Sequence, residues 1–93
     1  MNYKLMVSPI ARKQLDKLNK AQKQKIVDAL QELSTDPFTN RSKVDIKKLI
    51  GIKNNIDLYR LRVGQYRIIY EISQDSIWIS EIVKRSSAYK FIL

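Results

Sequence analysis

Two alternating runs separated by two residues constrain this chain more than any other feature. Residues 56–63 and 66–72 alternate along their length, and Gly64-Gln65 stands between them. A Gly-X pair between two strands signals a type II′ hairpin turn, whose twist matches that of the flanking strands. Such a turn leaves no freedom of register. Val63 must face Tyr66, Arg62 face Arg67, Leu61 face Ile68, Arg60 face Ile69 and Tyr59 face Tyr70. Directly opposed residues share a face of the sheet. One face therefore collects Tyr59, Leu61, Val63, Tyr66, Ile68, Tyr70 and Ile72, which is a core face. The other carries Arg60, Arg62 and Arg67 with Ile69 and Glu71.

The rest of the chain supplies elements to cover that core face. Tyr3, Leu5 and Val7 fall on one side of a short N-terminal strand. Ser8-Pro9 then reads as N-cap and first helical residue. Ala11, Leu15 and Leu18 form a helical stripe, and Asn19 is expected to end that helix. A second helix is expected from about Lys20 to Ser34, with Ile26, Leu30 and Leu33 as its stripe. Two amphipathic helices with almost no linker predict an antiparallel helical hairpin. Lys13, Lys17 and Lys20 lie on one polar face, either plainly solvated or RNA-facing.

Residues 35–46 read as a loop, marked by Asp36-Pro37. Lys47 to Ile50 is expected as a short strand closed by Gly51, and Lys53-Asn54-Asn55 as a turn. Ile77 to Lys84 is expected as a last strand. Strict alternation would bury Glu81, so a bulge or a frayed end is expected near it. Ser86 to Leu93 reads as a tail or short helix. The fold class is α+β: a strand, a helical hairpin, then an antiparallel sheet of three to four strands, all in one domain spanning residues 1–93.

Composition narrows the chemistry. The chain has 93 residues, 18 Lys+Arg against 9 Asp+Glu, and a net charge of +9. That excess favours polyanionic partners: nucleic acid, an anionic membrane surface or an acidic protein. Histidine and cysteine are absent, which removes the commonest general acid/base, the commonest metal ligand and any thiolate. No carboxylate cluster suggests a metal, and no cofactor is implied. No window reaches the roughly 18 apolar residues of a membrane span. A cytoplasmic protein without a membrane partner is expected.

The arginine face is the candidate site. Like charges directly opposed on a sheet destabilise it, so Arg62 opposite Arg67, with Arg60 next along, is an odd choice for a purely structural strand. Glu71 offers one partial counter-charge. Phosphate would supply the rest through bidentate guanidinium contacts. If the ligand is RNA, cleavage by its own 2′-hydroxyl needs a base, cations for the charge developing at phosphorus, and an acid for the leaving 5′ oxygen. Arginine serves the second role and is a poor base. Glu71, Tyr89, Lys47 and Lys48 remain unranked candidates for proton transfer.

The string Tyr59-Arg60-Leu61-Arg62-Val63-Gly64-Gln65-Tyr66-Arg67-Ile68-Ile69-Tyr70 resembles the RelE/ParE toxin superfamily. The resemblance extends to Lys47-Lys48-Leu49-Ile50-Gly51 and to Lys84-Arg85 followed by Tyr89. It implies a microbial-ribonuclease-like fold and a RelE-like mRNA interferase, the toxin of a type II toxin–antitoxin system. Such toxins cut mRNA in the A site of the 70S ribosome without metal and are neutralised by a cognate antitoxin in a heteromeric complex. Carried over residue by residue, the catalytic set is Arg60, Arg62, Arg67, Arg85 and Tyr89, with Lys47, Lys48, Lys84 and Glu71 as substrate-binding residues. Arg67 and Arg85 would stabilise the phosphate or the leaving group, and Tyr89 would stack on or orient a base. The chain departs from the RelE pattern in having arginine rather than lysine at positions 60 and 62, and in the short segment before Tyr89. Two alternatives stand beside this one: a ParE-like toxin acting on DNA gyrase, and an inactive antitoxin- or RNA-binding remnant. If the register holds, Ile69 and Trp78 flank the basic face as apolar contacts for an antitoxin, although for Trp78 a place in the core is the stronger expectation.

Overall fold

The computed structural model of the protein describes residues 2–49 and 57–84. The elements run β1 (Lys4–Val7), α1 (Pro9–Asp16), α2 (Lys20–Thr35), β2 (Asp45–Lys48), β3 (Leu58–Val63), β4 (Tyr66–Ser73) and β5 (Ser76–Lys84). The five strands form one sheet in the order β1-β5-β4-β3-β2. This is one strand more than expected. The N-terminal strand joins the sheet as an edge, parallel to β5, with Leu5 beside Ile77 and Val7 beside Ile79. The sheet is therefore mixed, and antiparallel from β5 to β2.

Local chemistry fixes the helix starts. The Ser8 hydroxyl accepts from Ala11 N at 3.0 Å, with Pro9 at the first helical position. Asn19 does not end α1 as expected but caps α2, accepting from Gln22 N at 2.9 Å. α1 stops at Asp16, and three residues connect the helices. The helices pack on the sheet, α1 on β5 and α2 on β1 and β3. Ala11, Leu15, Ile26, Ala29, Leu30 and Leu33 meet Leu61, Tyr66, Ile68, Tyr70, Ile77, Ile79 and Ile82 in one core. Tyr70 is wholly buried, stacks on Tyr59 with ring centroids 5.5 Å apart, and donates to Pro37 O at 2.9 Å. Burial pushes the Tyr70 phenol well above its ordinary pKa.

The β3–β4 register is the one the turn dictates, from Val63↔Tyr66 to Tyr59↔Tyr70. Gly64 has φ +58, and Gln65 has no positive φ, the pattern of a II′ turn. β2 begins at Asp45, two residues earlier than expected, with Asp45 opposite Arg62 and Lys47 opposite Arg60. Ile50, Gly51, the Lys53–Asn55 turn and the expected C-terminal tail or helix lie outside the described residues.

Candidate nucleic-acid interface

The register lays the polar face of the sheet out in rows. Across β2, β3, β4 and β5, one row reads Asp45, Arg62, Arg67, Val83 and the next reads Lys47, Arg60, Ile69, Glu81. A third row reads Leu58, Glu71, Trp78, with Met6 of β1 beside Trp78. Both helices lie on the other side, against the core face. Arg60, Arg62, Arg67, Lys47 and Glu71 thus share one surface, as the sequence requires. Lys48 and Lys84 do not join them. Lys48 stands opposite Tyr59 and pairs with Asp57 at 3.3 Å, and Lys84 stands opposite Tyr66, so both belong to the helix-facing side. Arg85 and Tyr89 lie outside the described residues.

The three arginines are not equivalent. Arg62 is exposed, whereas Arg60 is 8% and Arg67 only 5% exposed. Arg60 makes an ion pair with Asp45 at 3.5 Å. Its counter-charge is thus Asp45, not Glu71 as the sequence suggested. The pairing of β2 one turn of the pleat further back delivers Asp45, and the strand start expected at Lys47 concealed it. Nε of Arg60 and both Nε and Nη1 of Arg67 are buried without any hydrogen-bond partner among the described residues. An unsatisfied buried donor costs about 1–3 kcal/mol, more when charged. Three such donors on neighbouring rows therefore hold a standing demand for an acceptor. Oxygen-rich anions meet that demand in the fork geometry of guanidinium.

Beside this pair, Lys43, Ser42, Asp45, Arg62 and Gly64 line a cleft of about 350 Å³ at the hairpin tip. The exposed Arg62 and Lys43 make it a cationic approach to the buried guanidiniums. At the other end Trp78 is half-buried opposite Glu71. Ile69, expected as an apolar contact on this face, is 7% exposed and floors the space between Arg60 and Glu81.

Glu81 is the residue that sequence reasoning did not place. The expected bulge exists, with a register shift between Ile69 and Tyr70: Ile69 pairs with Glu81 while Tyr70 pairs with Ile79. Ser80 is the extra residue, and the shift turns Glu81 onto the arginine face. The signal in the sequence was the conflict itself, a carboxylate at a position that strict alternation assigns to the core.

The family model described as the ParE toxin of type II toxin–antitoxin systems, parDE, matches residues 5–89. The chain belongs to the RelE/ParE family of type II toxins. It is similar to toxin RelE3 of Methanocaldococcus jannaschii, 37% identical over 62 residues covering 67% of each chain. RelE1 of the same organism is 30% identical over 92 residues, covering 97% of this chain and 98% of the relative. Among solved structures, the archaeal RelE–RelB complex from Pyrococcus horikoshii OT3 matches with a TM-score of 0.78 and 32% identity, covering 95% of this chain and 100% of the matched one. Among the described residues, no helix of this toxin is long and apolar enough to cross a membrane.

Proposed function

We propose that this toxin is an endoribonuclease that cuts mRNA in the ribosomal A site by attack of the RNA's own 2′-hydroxyl. The observation that carries the reading is the pair of buried guanidiniums, Arg60 and Arg67, with three donor nitrogens on one face that lack partners among the described residues. A scissile phosphate supplies the missing acceptors, and its charge grows as the 2′ oxygen adds to phosphorus. Fixed donors aimed at developing charge stabilise it more than they stabilise the ground state. Arg62, Lys47 and the cleft beside Lys43 carry the flanking phosphates. Arg85 and Tyr89 keep the roles implied by the family: phosphate or leaving-group stabilisation and base stacking. The cationic role is filled by arginine, so the reading needs no metal.

The test is purified toxin with ribosomes programmed on a defined message, read by primer extension. Cuts within the A-site codon are expected, and Arg67→Ala should abolish them while remaining folded. An intact message with wild-type toxin sinks the proposal. The ParE name of the matched family supports a second reading, poisoning of DNA gyrase. Gyrase-dependent DNA damage on induction, without mRNA cuts, would favour it.

A cognate antitoxin belongs to the same proposal. The Pyrococcus relative was solved with RelB, and a chain of net charge +9 suits an acidic partner that folds on binding. Such a partner would neutralise by covering the arginine face, with Trp78 and Met6 as apolar anchors.

A further inference from the structure

The arginine face answers the electrostatic half of 2′-hydroxyl attack and leaves the proton unassigned. We infer that Glu81 is the general base, and that the bulge at Ser80 exists to present it. The inference rests on the nuclease reading above and names a residue for it.

The bulge is held from several directions. Ser8 N donates to Ile79 O at 3.0 Å, and the Ser8 hydroxyl donates to Ser80 O at 2.8 Å. The Ser80 hydroxyl donates to Ile69 O at 3.1 Å, across to β4. Ile82 N donates to Gln14 Oε1 of α1 at 2.6 Å. Ile79 O, Ser80 O and Ile82 N are thus satisfied by the backbone and hydroxyl of Ser8 and by Gln14 of α1, and the Ser80 hydroxyl ties the bulge to β4. A bulge bends a strand and re-aims a side chain, and bulges concentrate beside active sites. Here the re-aimed side chain is Glu81. Without the register shift it would stand opposite Ile68 on the core face.

Its position suits a base. Glu81 stands directly opposite Ile69 and diagonal to Arg67, whose own partner on β5 is Val83; diagonal neighbours lie about 7–8 Å apart at Cα. Arg60 closes the same row on the far side of Ile69. A phosphate on the unpartnered donors of Arg60 and Arg67 therefore sits between two guanidiniums with a carboxylate at its flank. Glu81 is half-buried and makes no ion pair or side-chain hydrogen bond among the described residues. The 2′-hydroxyl proton passes to the Glu81 carboxylate as the 2′ oxygen bonds to phosphorus. The bond from phosphorus to the 5′ oxygen breaks, and that oxygen takes a proton from water. The products are a 2′,3′-cyclic phosphate and a 5′-hydroxyl, and Glu81 returns its proton to solvent.

The test compares Glu81→Gln with wild type and with Asp28→Asn, which removes one negative charge from the opposite side of the molecule. Single-turnover cleavage on programmed ribosomes is measured across pH, with ribosome binding and thermal midpoints measured in parallel. Glu81→Gln should cut roughly 100-fold slower or worse, the range of a lost general base. It should lose the acid limb of the pH–rate profile and bind programmed ribosomes as tightly as wild type. Asp28→Asn should match wild type. Glu81→Asp, which withdraws the carboxylate without neutralising it, should be slow but keep the acid limb; it serves also if the glutamine variant does not fold. Cleavage by Glu81→Gln within threefold of wild type, or a loss confined to binding, overturns the role of Glu81 and leaves the nuclease reading standing. Wild-type toxin that does not cleave overturns both.

Discussion

Replacing Arg67 with methionine should make this toxin more stable and inactive. Arg67 is 5% exposed, with Nε and Nη1 lacking hydrogen-bond partners among the described residues. Arg62 faces it directly across the β3–β4 pair. Each unsatisfied donor costs about 1–3 kcal/mol, whereas an apolar group of similar shape costs nothing of the kind. Methionine has a comparable unbranched reach and adapts to irregular space. Set against some lost packing, a net gain of about 2 kcal/mol is expected. A domain of this size shifts its Tm by about 4–8 °C per kcal/mol, so the midpoint should rise by roughly 10 °C. The measurement is urea and thermal unfolding in chloride and in phosphate at matched ionic strength. A ligand that binds only the folded state stabilises by RT ln(1 + [L]/Kd), about 2.7 kcal/mol at a hundred times Kd. Phosphate should therefore stabilise wild type beyond chloride and leave Arg67→Met unmoved. A variant less stable than wild type by 1 kcal/mol or more in chloride, with an unchanged m value, would show that the guanidinium already finds its partners within the fold. An equal phosphate effect on both proteins would show ordinary screening rather than a site.

Four further substitutions test the framework around that face. Ser8→Ala removes both the α1 cap and the bond to Ser80 O, so it should cost about 2 kcal/mol in urea unfolding and slow cleavage by loosening the bulge; Asn19→Ala, an exposed cap, should cost about 1 kcal/mol and spare activity. Gln74 has φ +46 in the β4–β5 turn, a conformation that costs a side-chain-bearing residue about 1–2 kcal/mol, so Gln74→Gly should raise the urea midpoint despite glycine's greater unfolded freedom. Tyr70→Phe should cost about 1 kcal/mol at neutral pH by orphaning Pro37 O. The folded-state pKa of Tyr70 is raised, so the unfolded chain ionises first and wild type loses stability as pH climbs above about 10; unfolding at pH 8 to 11 should show the gap between the two proteins closing.

The hairpin could be read from the sequence because its information is local. Gly64 sets the turn, the turn sets the register, and the register sorts arginines from tyrosines without reference to the rest of the chain. The same held for Ser8-Pro9 at the start of α1. What could not be read depended on contacts distant in sequence. The parallel pairing of β1 with β5 joins residues more than seventy positions apart, and no local pattern announces it. Asp45 reaches Arg60 only because β2 pairs two residues earlier than its lysines suggested. The burial of Arg60 and Arg67 was equally hidden, since alternation tells which face a residue takes and not how deeply it is buried.

The bulge at Ser80 shows why the two kinds of information meet at the site. Alternation along β5 predicted trouble at Glu81, and the trouble is resolved by groups from α1, more than sixty residues away. A chain selected for stability alone would carry an apolar residue at 67 and an uninterrupted alternation through 80–82. This one breaks both rules, and the two breaks lie diagonal to each other on one face. Local rules are expected to fail where function overrides them. Guanidinium donors and a re-aimed carboxylate that lack partners among the described residues are opposite demands: one seeks an anion and the other a proton. An RNA phosphate with a 2′-hydroxyl beside it offers both. A single ligand then accounts for both departures, where a purely structural account needs a separate reason for each.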